Sequence, residues 1–577
     1  MKDLIDLSGL WQIRFDESDT GKKQQWFVKQ PNDCQIINVP SCWNEIFPDR
    51  YYYDQTAWYF KEIYIDNHHV GHRAVLCFEG VNYYCDVYVN GKQVGSHEGG
   101  FTFFSFDVTS SLRYNEVNFI AVRVYAEHNR WTLPPPGVDW FNYCGLYRPV
   151  AIEFTSFSYI DDFTIKTKTN GTVSVNVILN NQDDQEQYTL KAALADQAGA
   201  PLTEKSIPVS ISHNQQHKID VTIAIPDPQL WNLECPYLYH LTLELYDSQD
   251  NLCDRNVKSF GIREFAVKDH QILINDKPVK LVGCSKHEEY PMTGRTVTRE
   301  QLVQDYALFT QMNANFVRLC HYPHNKLEHD LLNELGIVSM AELPLVFLHE
   351  DQMTSEVVLK KAKEMLQEMI RREKNETNIM FWSLFIECDT HLDTTKSFVE
   401  EIIHTVRELD DTRLVIMASI YPMNDKTYDY FDVIGVNYWE GWYRDEPPEL
   451  AMEWLMQLSN RYPNKPILIT SHGYEGIHQI RSYEKKIRWS EDLQSDYLSQ
   501  IADIFKSIKN IVGEIIWTFA DFRTYNWDDP EHPILNRKRH LERPREINHK
   551  GMVNFYRGPK STYYVMQKKL REWKKSI

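Results

Sequence analysis

The sequence contains no apolar run that approaches the ~18 residues a membrane-spanning helix needs. Its first residues, MKDLIDLSGLW, lack the basic segment and the apolar stretch of a signal peptide. The ten cysteines are scattered, without a CxxC pair or the spacing of metal ligands. These absences predict reduced thiols in a cytoplasmic protein that has no membrane segment, no bound metal and no cofactor.

The chain also has fewer basic than acidic residues. Lys and Arg number 62 against 81 Asp and Glu, which gives a formal net charge of −19. Because the phosphates of nucleic acids attract Lys and Arg, this deficit argues against a nucleic-acid partner. No long linker, low-complexity tract or internal repeat interrupts the chain.

What the sequence does contain is an ordinary globular composition, with 42% hydrophobic and 25% charged residues in 577. That length is too great for a single core, so several domains are expected. Aromatic residues are abundant at 13%, with 15 Trp and 33 Tyr. They favour either larger cores or surfaces on which the apolar face of a sugar stacks, and composition leaves both open.

Residues 1–157 have the pattern of β-strands. The segment from Cys85 to Val89 alternates in polarity, and Asn90-Gly91 and a second short strand follow it. Asn-Gly between such runs is a strong hairpin signal, because a type I′ turn needs positive φ at both positions. Since no helical periodicity interrupts the region, we predict a jelly-roll β-sandwich.

Residues 158–262 continue with short strands. About 100 residues of this pattern suit an immunoglobulin-like β-sandwich. Two sets of alternating apolar residues each share one face of a strand: Val173, Val175, Val177 and Leu179, and then Tyr239, Leu241, Leu243 and Leu245.

From residue 263 to 577 short apolar runs alternate with helical segments, which is typical of βα units around a parallel sheet. Ser355 is a candidate N-cap for a helix whose apolar stripe runs from Val358 to Ile370. Eight strands in about 300 residues have the size of a (β/α)8 TIM barrel. The predicted strands are Val279–Gly283, Phe316–Leu319, Ile337–Ala341, Ile379–Phe385, Leu414–Ala418, Val433–Val436, Ile467–Thr470 and Glu514–Thr518.

Polar and aromatic side chains concentrate directly after these strands, at the end where TIM-barrel enzymes keep their active sites. A single such residue is usually structural, but their presence after all eight strands predicts an active site. Glu387, which follows the apolar run Ile379–Phe385, is predicted to be the catalytic acid. The strand-end residues are His287, His321, Glu342, Glu387, Ser419, Tyr438, Trp439, Ser471, His472, Trp517 and Asp521.

Two other interpretations of these residues are weaker. His287 and His321 suggest a metal site, but no third ligand has the spacing of a zinc site, so hydrogen-bonding roles are expected. Ser471 and His472 suggest a serine hydrolase. Adjacent residues of an extended segment point to opposite sides, however, and the sequence has no G-x-S-x-G motif.

Longer motifs follow one another along the whole chain: HEGGFT at 97–102, DWFNYCGLYR at 139–148, FGIR at 260–263, KHE at 286–288, RLCHYP at 318–323, WSL at 382–384 and WTFADF at 517–522. Together they resemble glycoside hydrolase family 2 and, within it, the β-glucuronidases. The resemblance implies the three-domain architecture already predicted, with a first sandwich of the sugar-binding type. It also implies retaining hydrolysis, in which one carboxylic acid protonates the leaving oxygen and a second carboxylate attacks the anomeric carbon.

The resemblance assigns roles to two strand ends. The family carries an Asn-Glu pair after the fourth strand, and this chain has Ile386-Glu387, so the acid/base is kept and the amide that contacts the sugar 2-OH is replaced. The family carries its nucleophilic Glu after the seventh strand, where this chain has Ser471. A Ser hydroxyl without a base is a poor nucleophile and cannot stabilise an oxocarbenium ion as a carboxylate does.

Three explanations of Ser471 and Ile386 remain open at this point. The two residues were introduced to trap a substrate or to make glycosides, or they belong to a natural relative that binds sugars without cleaving them, or another carboxylate replaces the nucleophile. Glu475 is the carboxylate nearest to Ser471 in sequence.

The resemblance also implies substrate-binding residues. Asn548 and Lys550 match the pair that reads the C6 carboxylate of glucuronic acid, a role that suits an amide and an ammonium group. Arg545 lies close to them in sequence and is expected to help. The other expected substrate-binding residues are Asp139, His287, His321, Ile386, Trp439, Tyr443 and Trp517.

The sequence therefore predicts an exo-acting, retaining β-glycoside hydrolase of the β-glucuronidase type, which cleaves terminal β-D-glucuronides. The alternatives are a β-galactosidase or β-galacturonidase of the same family, and a non-catalytic sugar-binding protein. The expected partner is a small β-glycoside, and the resemblance implies a homo-oligomer, either a dimer or a tetramer.

Overall fold

The computed structural model describes residues 3–443, 447–482, 487–524 and 544–576. Its first part is a sandwich of two antiparallel sheets, in the orders β1-β10-β5-β8 and β3-β2-β4-β9-β6-β7. A buried apolar core that includes Trp11, Trp43 and Phe78 separates them. The elements are β1 Asp3–Asp6, β2 Gly9–Phe15, β3 Gln35–Val39, α1 Trp43–Ile46, β4 Thr56–Ile65, β5 Arg73–Phe78, β6 Tyr84–Val89, β7 Lys92–Glu98, β8 Phe104–Asp107, β9 Glu116–Tyr125 and β10 Val150–Thr155.

The second part is a smaller sandwich, with antiparallel sheets in the orders β11-β12-β15 and β14-β13-β16-β17. The two predicted apolar faces, on β12 and β16, are buried against each other in its core. Its strands are β11 Ser158–Thr167, β12 Thr172–Asn181, β13 Gln187–Ala195, β14 Pro201–Ser210, β15 Gln215–Ala224, β16 Tyr239–Asp247 and β17 Leu252–Phe260.

The third part is a parallel barrel of eight strands in the order β25-β24-β23-β22-β21-β28-β27-β26. A parallel bridge between Ser419 and Val436 joins its two ends. A small antiparallel sheet, β18 Phe265–Lys268, β19 Gln271–Ile274 and β20 Lys277–Val279, precedes it. The barrel strands are β21 Leu281–Lys286, β22 Phe316–Leu319, β23 Val338–Glu342, β24 Ile379–Ile386, β25 Leu414–Ala418, β26 Ile434–Tyr438, β27 Ile467–His472 and β28 Ile511–Ile516.

Helices surround the barrel strands. They are α2 Arg299–Gln311, α3 Lys326–Leu335, α4 Glu350–Met353, α5 Glu356–Glu373, α6 Lys396–Leu409, α7 Leu450–Arg461, α8 Glu491–Ser507 and α9 Ser561–Lys574, and the short strands β29 Phe522–Arg523 and β30 Ile547–Asn548 pair near the rim. None of the helices in the described part of the chain is long and apolar enough to cross a membrane.

The local sequence signals are confirmed. Asn90 and Gly91 have φ of 52° and 82° and connect β6 to β7, as a type I′ turn requires. Ser355 caps α5, where its side chain accepts a hydrogen bond from the Val358 backbone N–H, and the predicted stripe of α5 is buried. Two strand predictions were displaced. Val279 belongs to β20, outside the barrel, and the eighth strand lies at Ile511–Ile516 because Thr518 turns away to pair with Lys550.

Candidate active site

The carboxyl ends of the barrel strands surround a small cavity, and a loop of the first sandwich supplies one wall of it. The loop contributes Asp139 and Trp140, and the barrel contributes the remaining walls. The lining residues are Asp139, Trp140, His321, Phe347, Ile386, Glu387, Asn437, Trp439, Tyr443, Ser471 and Trp517. The predicted site face is therefore a real concavity with convergent polar groups.

Glu387 lies directly after β24 and has a left-handed backbone with φ of 54°. Such a backbone costs a non-glycine residue about 1–3 kcal/mol and is found most often at functional sites. Its Oε1 atom accepts hydrogen bonds from Asn437 Nδ2 at 2.6 Å and from the Trp439 indole N–H at 2.7 Å. Because both donors meet Oε1, a proton on this carboxyl group is favoured at Oε2.

Ser471 lies near the end of β27 and is fully buried against the same cavity. Its hydroxyl has no hydrogen-bond partner among the described residues. The pairing of β26 with β27 sets Ser471 opposite Asn437, the residue that holds Glu387. Paired strands lie about 4.8 Å apart, so Glu387 and Ser471 approach one cavity from either side of Asn437.

The segment after Ser471 has little space. A Cβ atom on Gly473 would lie 2.2 Å from the backbone carbonyl oxygen of Trp517, which explains the glycine. His472 points away from the cavity: its ring packs on Phe505 and its Nε2 lies 3.0 Å from Glu514 Oε2. Ser471 and His472 therefore face opposite sides of β27, and they do not form a nucleophile–base pair.

A fully buried ionic cluster lies beneath the cavity. Glu342 Oε1 accepts from Arg318 Nε at 2.8 Å, and Glu342 Oε2 lies 2.7 Å from His321 Nδ1. Burial alone would raise the pKa of Glu342, but Arg318 and His321 hold it down at about 2. Arg318 also donates to the backbone oxygen of Thr470 at 2.9 Å, so the cluster is tied to β27 beside Ser471.

Aromatic rings complete the walls. Trp517 stacks on His321 with ring centroids 4.9 Å apart, and Trp140 tilts against the same histidine at 5.5 Å. His287 packs behind Trp140 and Trp517 and does not line the cavity. Burial lowers the pKa of His287 well below its usual range, so its ring is neutral, and its Nδ1 makes a hydrogen bond of 3.2 Å with the Tyr322 hydroxyl.

The C-terminal residues form the layer behind this wall. Lys550 is fully buried, with Nζ 2.8 Å from Glu475 Oε1 and 3.0 Å from the hydroxyl of Tyr443. Asn548 donates to Asp139 Oδ2 at 2.9 Å. Both predicted carboxylate-reading residues are therefore one contact away from the cavity, and Lys550 has a carboxylate of the protein as its ion-pair partner.

Two predicted residues take positions that argue against their expected roles. Arg545 is exposed and is not among the cavity-lining residues. Glu475, the candidate substitute for the nucleophile, is fully buried and its charge is compensated by Lys550.

Trp140, Phe347 and Asn437 line the cavity, although they were not among the predicted site residues. Trp140 and Asn437 lie beside Asp139 and Trp439 in sequence, which was the available signal, whereas Phe347 has none.

Two clusters of buried side chains bring potential metal ligands within 4.8 Å of one another: His287, Cys320 and His321, and Glu288, His324 and Glu328. Cys320, which precedes His321, was not among the predicted ligands. Burial raises the pKa of its thiol well above the usual range, so the thiol is neutral in this structure. In the second cluster, Arg148 and Lys286 pair with the two carboxylates at 2.7 and 3.0 Å. Protein contacts thus account for the charges of the second cluster.

Three family profiles match successive parts of the chain. They describe the sugar binding domain of the glycosyl hydrolases family 2 at residues 4–155, the glycosyl hydrolases family 2 at 158–263, and the TIM barrel domain of that family at 265–532. Together with the cavity and its carboxylic acid at a strand end, these matches define the class. The chain belongs to glycosyl hydrolase family 2.

Within the family the chain is β-glucuronidase-like. It is 29% identical to a β-glucuronidase of Paenibacillus borealis over 564 residues, which cover 91% of each chain. It is also 29% identical to a β-glucuronidase of Sus scrofa over 99% of this chain and 90% of the relative. The β-glucuronidase of Ruminococcus gnavus, solved in complex with D-glucuronic acid, superposes with a TM-score of 0.87 at 26% identity, covering 99% and 98% of the two chains.

Proposed function

We propose that this protein binds the terminal sugar of β-D-glucuronides in the cavity at the barrel rim, with Glu387 as the acid that protonates the leaving oxygen. The observation that carries the proposal is the convergence of Glu387 and Ser471 on one cavity around Asn437. This is the placement that a glycosidase acid and its partner group need. The partner position, however, has a hydroxyl in place of a carboxylate.

That replacement determines the expected rate. A serine hydroxyl does not attack the anomeric carbon unless a base removes its proton, and the Ser471 hydroxyl makes no hydrogen bond with a described residue. Loss of a catalytic group commonly lowers the rate by several powers of ten. We therefore propose slow hydrolysis by a chain that keeps the architecture of a glycosidase.

The proposed substrate class follows from the wall near Tyr443. Lys550 donates to the Tyr443 hydroxyl, which lines the cavity, and Asn548 orients Asp139, which lines it too. Through these contacts the ammonium group of Lys550 and the amide group of Asn548 position Tyr443 and Asp139 on the side of the cavity where we expect a C6 carboxylate to bind. The named relatives, which are β-glucuronidases, support the same choice.

The test is hydrolysis of 4-nitrophenyl β-D-glucuronide with and without added formate or azide. We expect slow but measurable turnover without the anion, and an increase of about tenfold or more with it, because a small anion replaces the missing nucleophile. 4-Nitrophenyl β-D-galactoside serves as the substrate control. Rapid unaided turnover would instead point to a substitute carboxylate, and inertness in both conditions with retained glucuronic acid binding would leave a sugar-binding protein.

We also propose the domain bounds, a cytoplasmic location and a homo-oligomeric state. The domain bounds 1–157, 158–262 and 263–577 are supported by the breaks between β10 and β11 and between β17 and β18. A cytoplasmic location rests on the ten cysteines, none of which forms a disulfide in the described chain. A homo-oligomer is implied only by the family.

A further inference from the structure

His321 and Glu342 form a dyad at the base of the cavity. His321 Nδ1 lies 2.7 Å from Glu342 Oε2, and Glu342 is fully buried. A carboxylate in that position holds the proton of a neutral imidazole on Nδ1, so the lone pair is on Nε2. Nε2 makes no hydrogen bond with any described residue, and the ring lines the cavity, so this lone pair is available there.

Arg318 links the dyad to the position of the missing nucleophile, and His321 and Ser471 line the same cavity. Arg318 spans the gap: its Nη2 is 3.4 Å from His321 Nδ1, and its Nη1 donates to the backbone oxygen of Thr470 at 2.9 Å. Ser471 is the next residue, and its buried hydroxyl has no described partner. A basic nitrogen and an unpaired hydroxyl thus face the same small space.

His321 is also held firmly and in the protonation state that a base needs. It stacks on Trp517, and Trp140 contacts its edge, so the ring has little freedom to rotate. Burial lowers the pKa of His321, and the charge of Glu342 opposes that effect without cancelling it. The ring is therefore neutral at pH 7, with Glu342 and Arg318 as the charged groups around it and Glu387 as the titratable neighbour.

We propose that His321, oriented by Glu342, is the general base that activates a water molecule in this chain. The inference rests on the proposed glycosidase function of the same cavity. A water molecule at the Ser471 hydroxyl gives a proton to His321 Nε2 while its oxygen bonds to the anomeric carbon. The bond from that carbon to the glycosidic oxygen breaks, and Glu387 gives the leaving oxygen its proton. The anomeric centre inverts in this single step.

Ser471 contributes to this step in two ways. Its side chain has three heavy atoms fewer than that of glutamate, so it leaves room for a water where the family places a carboxylate. The hydroxyl also supplies a hydrogen-bond partner that orients this water. A dyad of this kind contributes general-base catalysis of about a hundredfold or more, which is enough to give a measurable unaided rate.

The decisive experiment compares water and azide as nucleophiles in His321→Asn. Water needs a base and azide does not, because azide is already an anion. We expect unaided hydrolysis of 4-nitrophenyl β-D-glucuronide to fall about a hundredfold, while azide-supported turnover stays within a few-fold of the parent. Glu342→Gln should show the same split to a smaller extent. His404→Asn, on the exposed face of α6, is the matched control.

The configuration of the first product gives an independent readout. Proton NMR during unaided turnover should show α-glucuronic acid before mutarotation. A β-product would indicate two displacements through Ser471 and would overturn the inference. Equal loss of the water and azide reactions in His321→Asn would reduce His321 to a sugar-positioning residue.

The failure of this inference is distinguishable from that of the proposed function. If azide supports turnover of the parent chain and unaided hydrolysis is undetectable, His321 does not activate water, and the glucuronide site remains. If neither water nor azide reacts and glucuronides do not bind, the proposed function fails together with the inference.

Discussion

Lys550 is buried without exposure to solvent and paired with Glu475 at 2.8 Å. A buried ammonium group that already has a partner is expensive to redirect, because the carboxylate left behind would lose its compensation. Its link to the cavity is the hydroxyl of Tyr443. If Lys550 reads a substrate carboxylate, it does so as part of a group of three side chains and not as a free cation.

Removal of the Lys550 ammonium group should therefore weaken glucuronide binding and lower the melting temperature. We expect Lys550→Ala to weaken glucuronide binding about tenfold to a hundredfold, since a charge-assisted hydrogen bond contributes about 1.5–3 kcal/mol, and to change galactoside binding little. Isothermal titration with the two sugars measures the difference.

The same variant leaves Glu475 buried and unpaired, so its melting temperature should fall as well. The double variant Lys550→Met with Glu475→Gln removes both charges and separates stability from recognition. Equal losses for both sugars in the double variant would remove the carboxylate-reading role of Lys550.

At the scale of elements, the site depends on the ends of β24 and β27. The carboxyl end of β24 passes directly into the left-handed Glu387, and β27 continues to His472 before Gly473 passes close to Trp517. The register of β26 against β27 shifts between Val436 and Asn437, which brings Ser471 opposite Asn437. These strand ends, and not the helices, determine which side chains face the cavity.

This register makes a direct prediction. A glutamate at position 471 would point into the cavity from β27, where the family has its nucleophile. We expect Ser471→Glu to raise hydrolysis of an aryl β-glucuronide by about three powers of ten or more and to yield a β-configured first product. Steady-state kinetics and proton NMR test both parts.

The control for this variant is Ser471→Asp, whose carboxylate is one methylene shorter and should give a smaller increase. A well-folded Ser471→Glu protein that stays inert would show that Ile386 and the neighbouring walls no longer support the retaining reaction, or that the assigned register is wrong.

At the scale of the whole molecule, the first sandwich and the barrel share charged groups. Arg148 of the sandwich pairs with Glu288 of the barrel at 2.7 Å, and both side chains are buried. Tyr143 of the sandwich donates to Glu289 at 2.8 Å. The loop between β9 and β10 of the sandwich carries Asp139 and Trp140 into the cavity wall. The site is therefore complete only when the sandwich and the barrel are packed together.

Glu373, at the end of α5, lies in the same interface. Burial, followed by the charge of Glu376, raises the pKa of Glu373 to about 8. Between its usual pKa near 4.5 and this value, the folded protein keeps a proton that the unfolded chain releases. Its contribution to stability therefore falls as the pH rises through this window, by about 3 kcal/mol at pH 7.

We accordingly expect Glu373→Gln to raise the melting temperature more at pH 8 than at pH 5, since an amide has no proton to lose. Thermal denaturation at the two pH values measures this. Glu364→Gln, on the exposed face of the same helix, should change neither value. A gain that is independent of pH would show that Glu373 is ionised in the folded protein.

The sequence by itself determined the elements of this protein and the strand ends that carry chemistry. The alternation in β12 and β16, the Asn90-Gly91 turn and the stripe of α5 are local patterns, and local patterns depend on backbone preferences and on burial of one face. The position of Glu387 after an apolar strand was readable for the same reason.

Only the tertiary structure decided which of these side chains meet. Pairing of β26 with β27 set Ser471 opposite Asn437, and docking of the first sandwich brought Asp139 to the rim. Packing also paired Lys550 with Glu475, and oriented His321 through Glu342. These partners lie tens to hundreds of residues apart in the chain. Their distances depend on the packing of whole elements, which no short sequence pattern encodes.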